Sequence, residues 1–379
     1  MKENKKERLP HYFFTPLSGS VAMRLGMLNM KAWESYIRKV DPYVPGEQPK
    51  EKNIIKLNTN ENPYPPTKRV LDAIHNLNYD SLKRYPDPRC LELVEAIASY
   101  HKLTSDMVFV GVGSDDVLGM AFLTFFNSNK PILFADITYS FYEVWANLFQ
   151  VPYEKQPLNE ELLIRKEDYY KENGGIVIAN PNAPTSIYES LDSIRDILEH
   201  NQDSIVIVDE AYIDFGGESA RDLIKLYDNL LVVQTFSKSR SMAGMRIGYA
   251  MGNSRLIKAL NDVKFSYNSY TLNQTSIDFG IKAIEDEAYF LECVKKIIDT
   301  REYTCKELKK LGFSFPKSST NFLFVTHPLI HASELYEYLR EEHIYVRYFK
   351  KSRIDNYLRI SIGTMEEMNQ FIEVLRKRM

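Results

Sequence analysis

IVIVDEAYIDFGGESARDLIKLYDNLLVVQTFSKSRSMAGMRIGY, residues Ile205 to Tyr249, contains two short apolar runs, Ile205 to Val208 and Leu230 to Val233, each closing on a polar cluster. The first cluster holds Asp209, Glu210 and Tyr212; the second holds Ser237, Lys238 and, further on, Arg246. Apolar runs this short, without alternation, read as strands covered on both faces, the habit of a parallel sheet flanked by helices. A carboxylate, a phenol, an amine and a guanidinium delivered by neighbouring strand ends are costly to bury unless they act on something.

Outward from this stretch the same punctuation recurs. Strands are expected at Met107 to Val110, Ile132 to Ala135, Ile176 to Ala179 and Arg246 to Met251. Helices are expected at Leu91 to His101, Ser114 to Phe126, Phe141 to Phe149 and Leu191 to His200. Alternation of this kind predicts an α/β fold, a mostly parallel sheet sandwiched by helices. Ligands of such sheets bind beyond the carboxyl ends of the strands. The residues just past those ends are Gly111, Gly113 and Ser114, then Asn180 and Asn182, then Asp209 and Tyr212, then Ser237 and Lys238. Four strands thus bring polar or glycine residues to one edge.

After about residue 254 long charged helical stretches, Arg255 to Lys264 and Leu272 to Leu311, precede strand Phe322 to Val325. Helix Ala332 to Glu342, strands Ile344 to Val346 and Tyr357 to Ile362, and a last helix from Met365 follow. Before the alternation come a polar arm, a short helix at Trp33 to Val40, the turn cluster DPYVPGEQP and the loop NTNENPYPP. The expected organisation is an arm (1–30), a large domain (58–264) and a smaller mixed α/β domain (31–57 plus 265–379).

A chain of 379 residues, 44% hydrophobic and 26% charged, is ordinary for a globular protein of about two domains. A net charge of -3 offers no basic face for nucleic acid. The start MKENKKERLP leads into no apolar run of signal or spanning length, so a cytoplasmic protein with no membrane partner is expected. Three scattered cysteines, Cys90, Cys293 and Cys305, suit neither a disulfide framework nor a zinc site, and the 7 histidines show no ligand spacing; no metal is expected.

The strand-end residues suit pyridoxal 5'-phosphate. Lys238 supplies the primary amine that condenses with the aldehyde. Asp209 faces the pyridine nitrogen and keeps it protonated, because an opposite charge favours the charged form. Tyr212 donates to the ring's phenolic oxygen, and Tyr139 stacks on the ring face. Gly113, Ser114 and Asp115 stand where a strand becomes a helix, and helix-start amides bind phosphate. Ser237 and Arg246 complete that anion clamp.

TFSKSRSMAGMRIGY, VDEAYIDF, NPNAPTS, GVGSDD and NENPYPP, with DPYVPG and YLRISIGT, resemble the fold-type I pyridoxal-phosphate aminotransferases, an aspartate-aminotransferase-like architecture, and most closely the histidinol-phosphate aminotransferase group. The likeness runs from about Trp33 to the end. It implies that Lys238 bonds the cofactor, with Asp209 and Tyr212 as its ring partners and Ser114, Asp115, Ser237 and Arg246 in the phosphate site. It also implies that Tyr85, in KRYPDP, reaches the cofactor phosphate of a neighbouring subunit, making a homodimer with shared active sites. Tyr43, Asn60, Arg347 and Arg359 are assigned to the substrate, whose anionic end two arginines and a tyrosine favour as a phosphate. Amino-acid and keto-acid substrates follow, histidinol phosphate and 2-oxoglutarate first among them.

One position departs from the family, which carries Asn-Asn-Pro-Thr-Gly where this chain has Asn182-Ala183-Pro184-Thr185-Ser186. Ala183 cannot donate to the ring oxygen, so either Asn182 does so or Tyr212 acts alone. Two other reactions share the motifs, decarboxylation of a phosphorylated amino acid such as threonine phosphate and transamination of aromatic amino acids. A fold retained without catalysis is the remaining alternative, and an intact set of Lys238, Asp209, Tyr212 and Arg246 argues against it.

Overall fold

The strand alternation decides what each face of the central sheet carries. A computed structural model describes residues 31–51 and 53–379, so the expected arm lies outside the described residues. Twelve strands are described. They are β1 Ile55–Lys56, β2 Val108–Val112, β3 Ile132–Ala135, β4 Tyr153–Gln156, β5 Gly175–Ala179, β6 Val206–Asp209, β7 Leu230–Thr235, β8 Ile247–Gly252, β9 Phe322–Val325, β10 Ile344–Tyr345, β11 Arg347–Tyr348 and β12 Leu358–Ser361. Seven of them form one sheet in the order β2-β8-β7-β6-β5-β3-β4. Strands β4, β3, β5, β6 and β7 run parallel, and β8 is antiparallel to both β7 and β2.

Successive side chains in a strand point to opposite faces. Val206, Val208, Leu230 and Val232 enter one core with Leu93, Ile97 and Ile194 of helices Leu91–His101 and Leu191–His200. Ile207, Leu231 and Val233 enter the other, with Phe122, Tyr142 and Leu260 of helices Gly113–Phe125, Phe141–Phe149 and Ser254–Tyr267. Each fully buried aliphatic side chain contributes about 1.5–3 kcal/mol, which is why these runs tolerate no polar residue until the strands end. Continued to the strand ends, the alternation puts Asp209 and Thr235 on the second face and Glu210 and Gln234 on the first.

Residues 31–41 group by themselves and hold a short 3-10 helix, Ala32–Tyr36, where a helix to Val40 was expected. Residues 42–379 form the other unit. Within it a third core joins Leu57, Phe290, Ile297, Leu335 and Phe371 around the three-stranded antiparallel sheet β11-β12-β9. The expected helical stretch from Leu272 to Leu311 is two helices, Gln274–Ile284 and Glu287–Lys310, because the Asp286 side chain accepts the Tyr289 amide and starts a new helix. Helix Lys68–His75 and edge strand β4 are additional to the expected elements; β4, Tyr153–Gln156, is mostly polar and so carries no apolar strand pattern.

The expected strand Ile344 to Val346 splits. β10 pairs in parallel with β1, and β11 turns away at Val346 to pair antiparallel with β12, opposing Arg347 directly to Arg359. Among the described residues no helix is long and apolar enough to cross a membrane, and no cluster of His, Cys, Asp or Glu could hold a metal ion.

Candidate active site

Asp209 ends β6 and is 5% exposed. Tyr142 Oη donates to Asp209 Oδ2 at 2.7 Å, and the Ala211 amide donates to Oδ1 at 3.3 Å. Burial pushes the carboxyl up to about 6; the two donors and the Lys238 charge pull the other way, and Asp115 adds to the rise. A buried acid raised in this way gains from a positive charge placed beside it. Tyr142 lies in the first turn of helix Phe141–Phe149, three residues after Tyr139, and the inward-facing spacing of those two tyrosines was the signal that could have found it.

Lys238 Nζ donates to the Thr59 carbonyl at 3.3 Å and lies 5.8 Å from the Tyr212 ring centre. Asn62 Nδ2 donates to the carbonyls of Lys238 and Ser239 at 3.0 and 3.1 Å, so NTNENPYPP pins the loop that carries the amine. The Tyr212 hydroxyl accepts from Asn60 Nδ2 at 3.0 Å. Asn60 is 1% exposed, and its amide, side-chain oxygen and carbonyl meet Ser361 and Asn321. In this structure it supports Tyr212 directly.

The β2 to helix junction forms a cradle. Gly113 has φ +81, and a Cβ there would come within 2.6 Å of Arg246 Nη2; a Cβ on Gly248 would meet the Gly113 carbonyl carbon at 2.2 Å. Glycine at both positions therefore lets β8 and the guanidinium close on the first turn of helix Gly113–Phe125, which no side chain caps. Ser114 stands in that turn, and Ser237 is buried across the sheet edge, its hydroxyl accepting from Thr235 at 3.0 Å. Asp115 is the orienting group here. It accepts from Tyr139 Oη at 2.8 Å and from Arg246 Nη2 at 3.0 Å, joining the phenol to the guanidinium. Uncapped amides, a buried hydroxyl and an oriented guanidinium fit a phosphate.

Ala183 is buried at 8% exposure and offers only a methyl. Asn182 is engaged on every polar atom of its side chain. Oδ1 accepts from Thr138 at 2.7 Å, while Nδ2 donates to Ile137 O and Thr185 Oγ1 at 2.9 Å. It braces the loop.

Arg359 Nη2 donates to the Asn58 carbonyl at 2.9 Å, its guanidinium carbon sits 5.4 and 5.7 Å from the rings of Phe322 and Phe349, and its buried Nε has no hydrogen-bond partner. Burial lowers its pKa, Arg347 lowers it further, and the Tyr212, Tyr43 and Tyr139 phenols oppose. Arg347 stands over Phe349 at 5.7 Å, with Nη2 3.5 Å from the Val44 carbonyl. Tyr43 stacks on Phe141 at 4.2 Å, and Phe141 lies 5.5 Å from Tyr139. Like charges opposed across a strand pair are destabilising, and an unpartnered buried N–H adds to that cost. A doubly charged anion would relieve both.

Tyr85 stands apart. It is 82% exposed and packs against Tyr270 at 4.7 Å, on a loop that gives it no partner from the cradle. Of the sequence-derived set, the chain brings together Lys238, Asp209, Tyr212, Tyr139, Asp115, Arg246, Gly113 and Asn60 by direct contact or shared partners.

Comparisons with known proteins bear on the family and the fold. Residues 52–375 match the family model described as Aminotransferase class I and II. A histidinol-phosphate aminotransferase of Clostridium botulinum (strain Langeland) is 54% identical over 347 residues, 92% of this chain and 98% of the relative. The crystal structure of the histidinol-phosphate aminotransferase from Clostridium acetobutylicum superposes with a TM-score of 0.79 at 25% identity, over 86% of this chain and 98% of that one. That of Sinorhizobium meliloti histidinol-phosphate aminotransferase in complex with pyridoxal-5'-phosphate also gives 0.79, at 21% identity over 86% and 92% of the two chains.

Proposed function

The chain belongs to the class I and II aminotransferases, and on that premise we propose that it is a pyridoxal-phosphate-dependent histidinol-phosphate aminotransferase, passing an amino group between histidinol phosphate and 2-oxoglutarate. The observation that carries the substrate is the facing pair Arg347 and Arg359, with Tyr43 beside them and an unpartnered Nε on Arg359. Two guanidinium groups and a phenol suit the double charge of a phosphate ester better than a single carboxylate.

When bound, pyridoxal phosphate supplies an aldehyde that takes up an amino group and a protonated ring that draws electrons from the substrate carbon. Lys238 would hold the cofactor through Nζ and, once the substrate's amino group has displaced it, the freed amine would move the substrate's α-proton, in a loop fixed by Asn62. Asp209, ionised and buried, keeps the positive charge on the ring nitrogen, and Tyr142 fixes its orientation. Tyr212 supports the ring's phenolic oxygen, itself oriented by Asn60. With Ala183 unable to donate and Asn182 braced into its loop, Tyr212 acts alone there. Ser237, Arg246 and the amides of Gly113 and Ser114 hold the phosphate, and Tyr139 covers the ring face. Tyr43, Arg347 and Arg359, with Asn60 behind Tyr212, receive the substrate's anionic end.

The enzyme is a cytoplasmic homodimer in this reading, each phosphate site completed by Tyr85 of the partner subunit. Its exposed position on the single chain supports this assignment. The test mixes purified protein with histidinol phosphate and 2-oxoglutarate. Glutamate should form in step with the keto product; no glutamate here, with carbon dioxide released from threonine phosphate in a parallel mixture, would make the enzyme a decarboxylase and end the proposal.

A further inference from the structure

We infer that Glu210 is a positioning residue for the cofactor site: its ionised carboxylate ties the Asp209 end of β6 to the Lys238 end of β7, and a one-way hydrogen-bond chain from Arg221 holds it in place. The inference rests on the cofactor reading above.

Strand alternation turns Glu210 to the face opposite Asp209, where it is 1% exposed. Its Oε2 accepts from Gln234 Nε2 at 2.7 Å and Ser219 Oγ at 2.6 Å, and its Oε1 accepts from the Ala220 amide at 2.6 Å. Three donors converge on the carboxylate, the arrangement of an ionised group. Gln234 lies on β7, four residues before Lys238. On the far side of Lys238, Ser239 Oγ donates to Asp214 Oδ2 at 2.5 Å. The segment bearing Asp209 and Tyr212 is therefore tied to the segment bearing Ser237 and Lys238 on both sides of the amine.

Beyond Gln234 the chain continues with a single sense. Tyr249 Oη donates to Gln234 Oε1 at 2.6 Å, His101 Nε2 meets Tyr249 Oη at 2.9 Å, and Arg221 Nη1 meets His101 Nδ1 at 3.1 Å. A guanidinium can only donate, so His101 Nδ1 accepts and its proton is on Nε2. Every bond from Arg221 through His101, Tyr249 and Gln234 then points toward Glu210, and bonds aligned in this way strengthen one another. His101 stays neutral, pushed down to about 3 by burial and by Arg221 and Arg240, against a weaker pull from Asp222.

Burial pushes Glu210 up to about 7; Ser219, Gln234 and Ala220 lower it, and Asp214 raises it. The phenols of Tyr188 and Tyr249 are the other titratable groups that feel its charge. The tie is complete above about pH 7. Below it, a proton on the carboxylate meets only donors, and one bond is lost. Because the folded pKa lies above the ordinary 4.5, the cofactor-free chain loses stability as pH rises from about 4.5 through about 7.

The experiment compares wild type, Glu210→Gln and the exchange Glu210→Gln with Gln234→Glu, each cofactor-free and cofactor-loaded. Glu210→Gln leaves one acceptor oxygen where the carboxylate had two, so either Gln234 Nε2 or the Ala220 amide faces another N–H and the tie is weakened, whereas the exchange restores a donor opposite an acceptor. In Glu210→Gln, kcat should fall about tenfold to a hundredfold with KM little changed, as expected for a misplaced amine. The pH midpoint of the bound cofactor's visible absorbance should move by about half a unit or more, and the exchange should return both. The cofactor-free stability profile should lose the part of its slope between pH 4.5 and 7 that Glu210 contributes and keep the part that Asp209 contributes. Tyr249→Phe, which cuts the chain one link away, should shift the midpoint in the same direction by less, and serves if Glu210→Gln does not fold. A variant that melts lower yet keeps the wild-type midpoint and kcat, or an exchange that restores nothing, would overturn the inference. Wild type that acquires no visible absorbance would instead remove the cofactor reading beneath it.

Discussion

Replacing Asp209 by Asn should stabilise the cofactor-free protein at pH 8 while weakening its hold on the cofactor. In the folded chain burial raises the Asp209 carboxyl from 3.8 to about 6, a change of roughly 2 pH units. At about 1.36 kcal/mol per unit, keeping the carboxylate ionised in the fold costs about 3 kcal/mol. The sign follows from proton linkage: the folded state binds the proton more tightly, so this stability is present below about pH 4 and is lost as pH rises through about 6. Asn accepts from Tyr142 and cannot ionise, so it avoids the loss. An unfolding entropy of roughly 2.1 cal/mol/K per residue over 379 residues gives about 0.8 kcal/mol/K, and 3 kcal/mol becomes a rise of about 4 °C in Tm at pH 8. Thermal unfolding of both cofactor-free proteins at pH 4 and pH 8 is the assay. The gap should be near zero at pH 4 and full at pH 8. On adding pyridoxal phosphate the order should reverse, because the variant leaves a buried positive ring nitrogen unpaired, a loss of about 3 kcal/mol or more. A variant no more stable than wild type at pH 8, or a gap of equal size at both pH values, would refute the argument.

Two further outcomes can be measured directly. Arg359→Lys keeps the charge but removes the unpartnered Nε; losing one charge-assisted hydrogen bond, about 1.5–3 kcal/mol, should raise KM for histidinol phosphate by about 10- to 150-fold, and an unchanged KM would clear Arg359 of that role. Tyr85→Ala and Lys238→Ala should each be nearly inactive alone, yet mixed after gentle denaturation and refolding they should recover up to about a quarter of wild-type activity, since half the dimers then contain one complete site. No recovery in a mixture that forms dimers would mean that Tyr85 serves its own chain.

The legible part of the site was the part written along single strands. Asp209, Tyr212, Ser237 and Lys238 follow apolar runs that must be buried on both faces, and a polar residue directly after such a run can only be at the sheet edge. Helix Leu191–His200 and strand β9 were readable for a related reason, since their apolar periods are uninterrupted. The helix break at Asp286 and the switch at Val346 were not readable, because each depends on which neighbour takes a backbone group.

Pairings between distant segments were decided by tertiary structure alone. The sequence by itself determined the fold class and a cofactor chemistry of amine, carboxylate, phenol and guanidinium, because those groups and their strand-end spacing are local. Contact between Tyr142 and Asp209, the engagement of Asn182 within its loop, the opposition of Arg347 to Arg359, and the chain from Arg221 to Glu210 each join residues tens to hundreds of positions apart, or in the arginines' case depend on register. Register and packing set those meetings, and a one-residue slip would have turned Asp209 away from the cofactor face and Glu210 toward it.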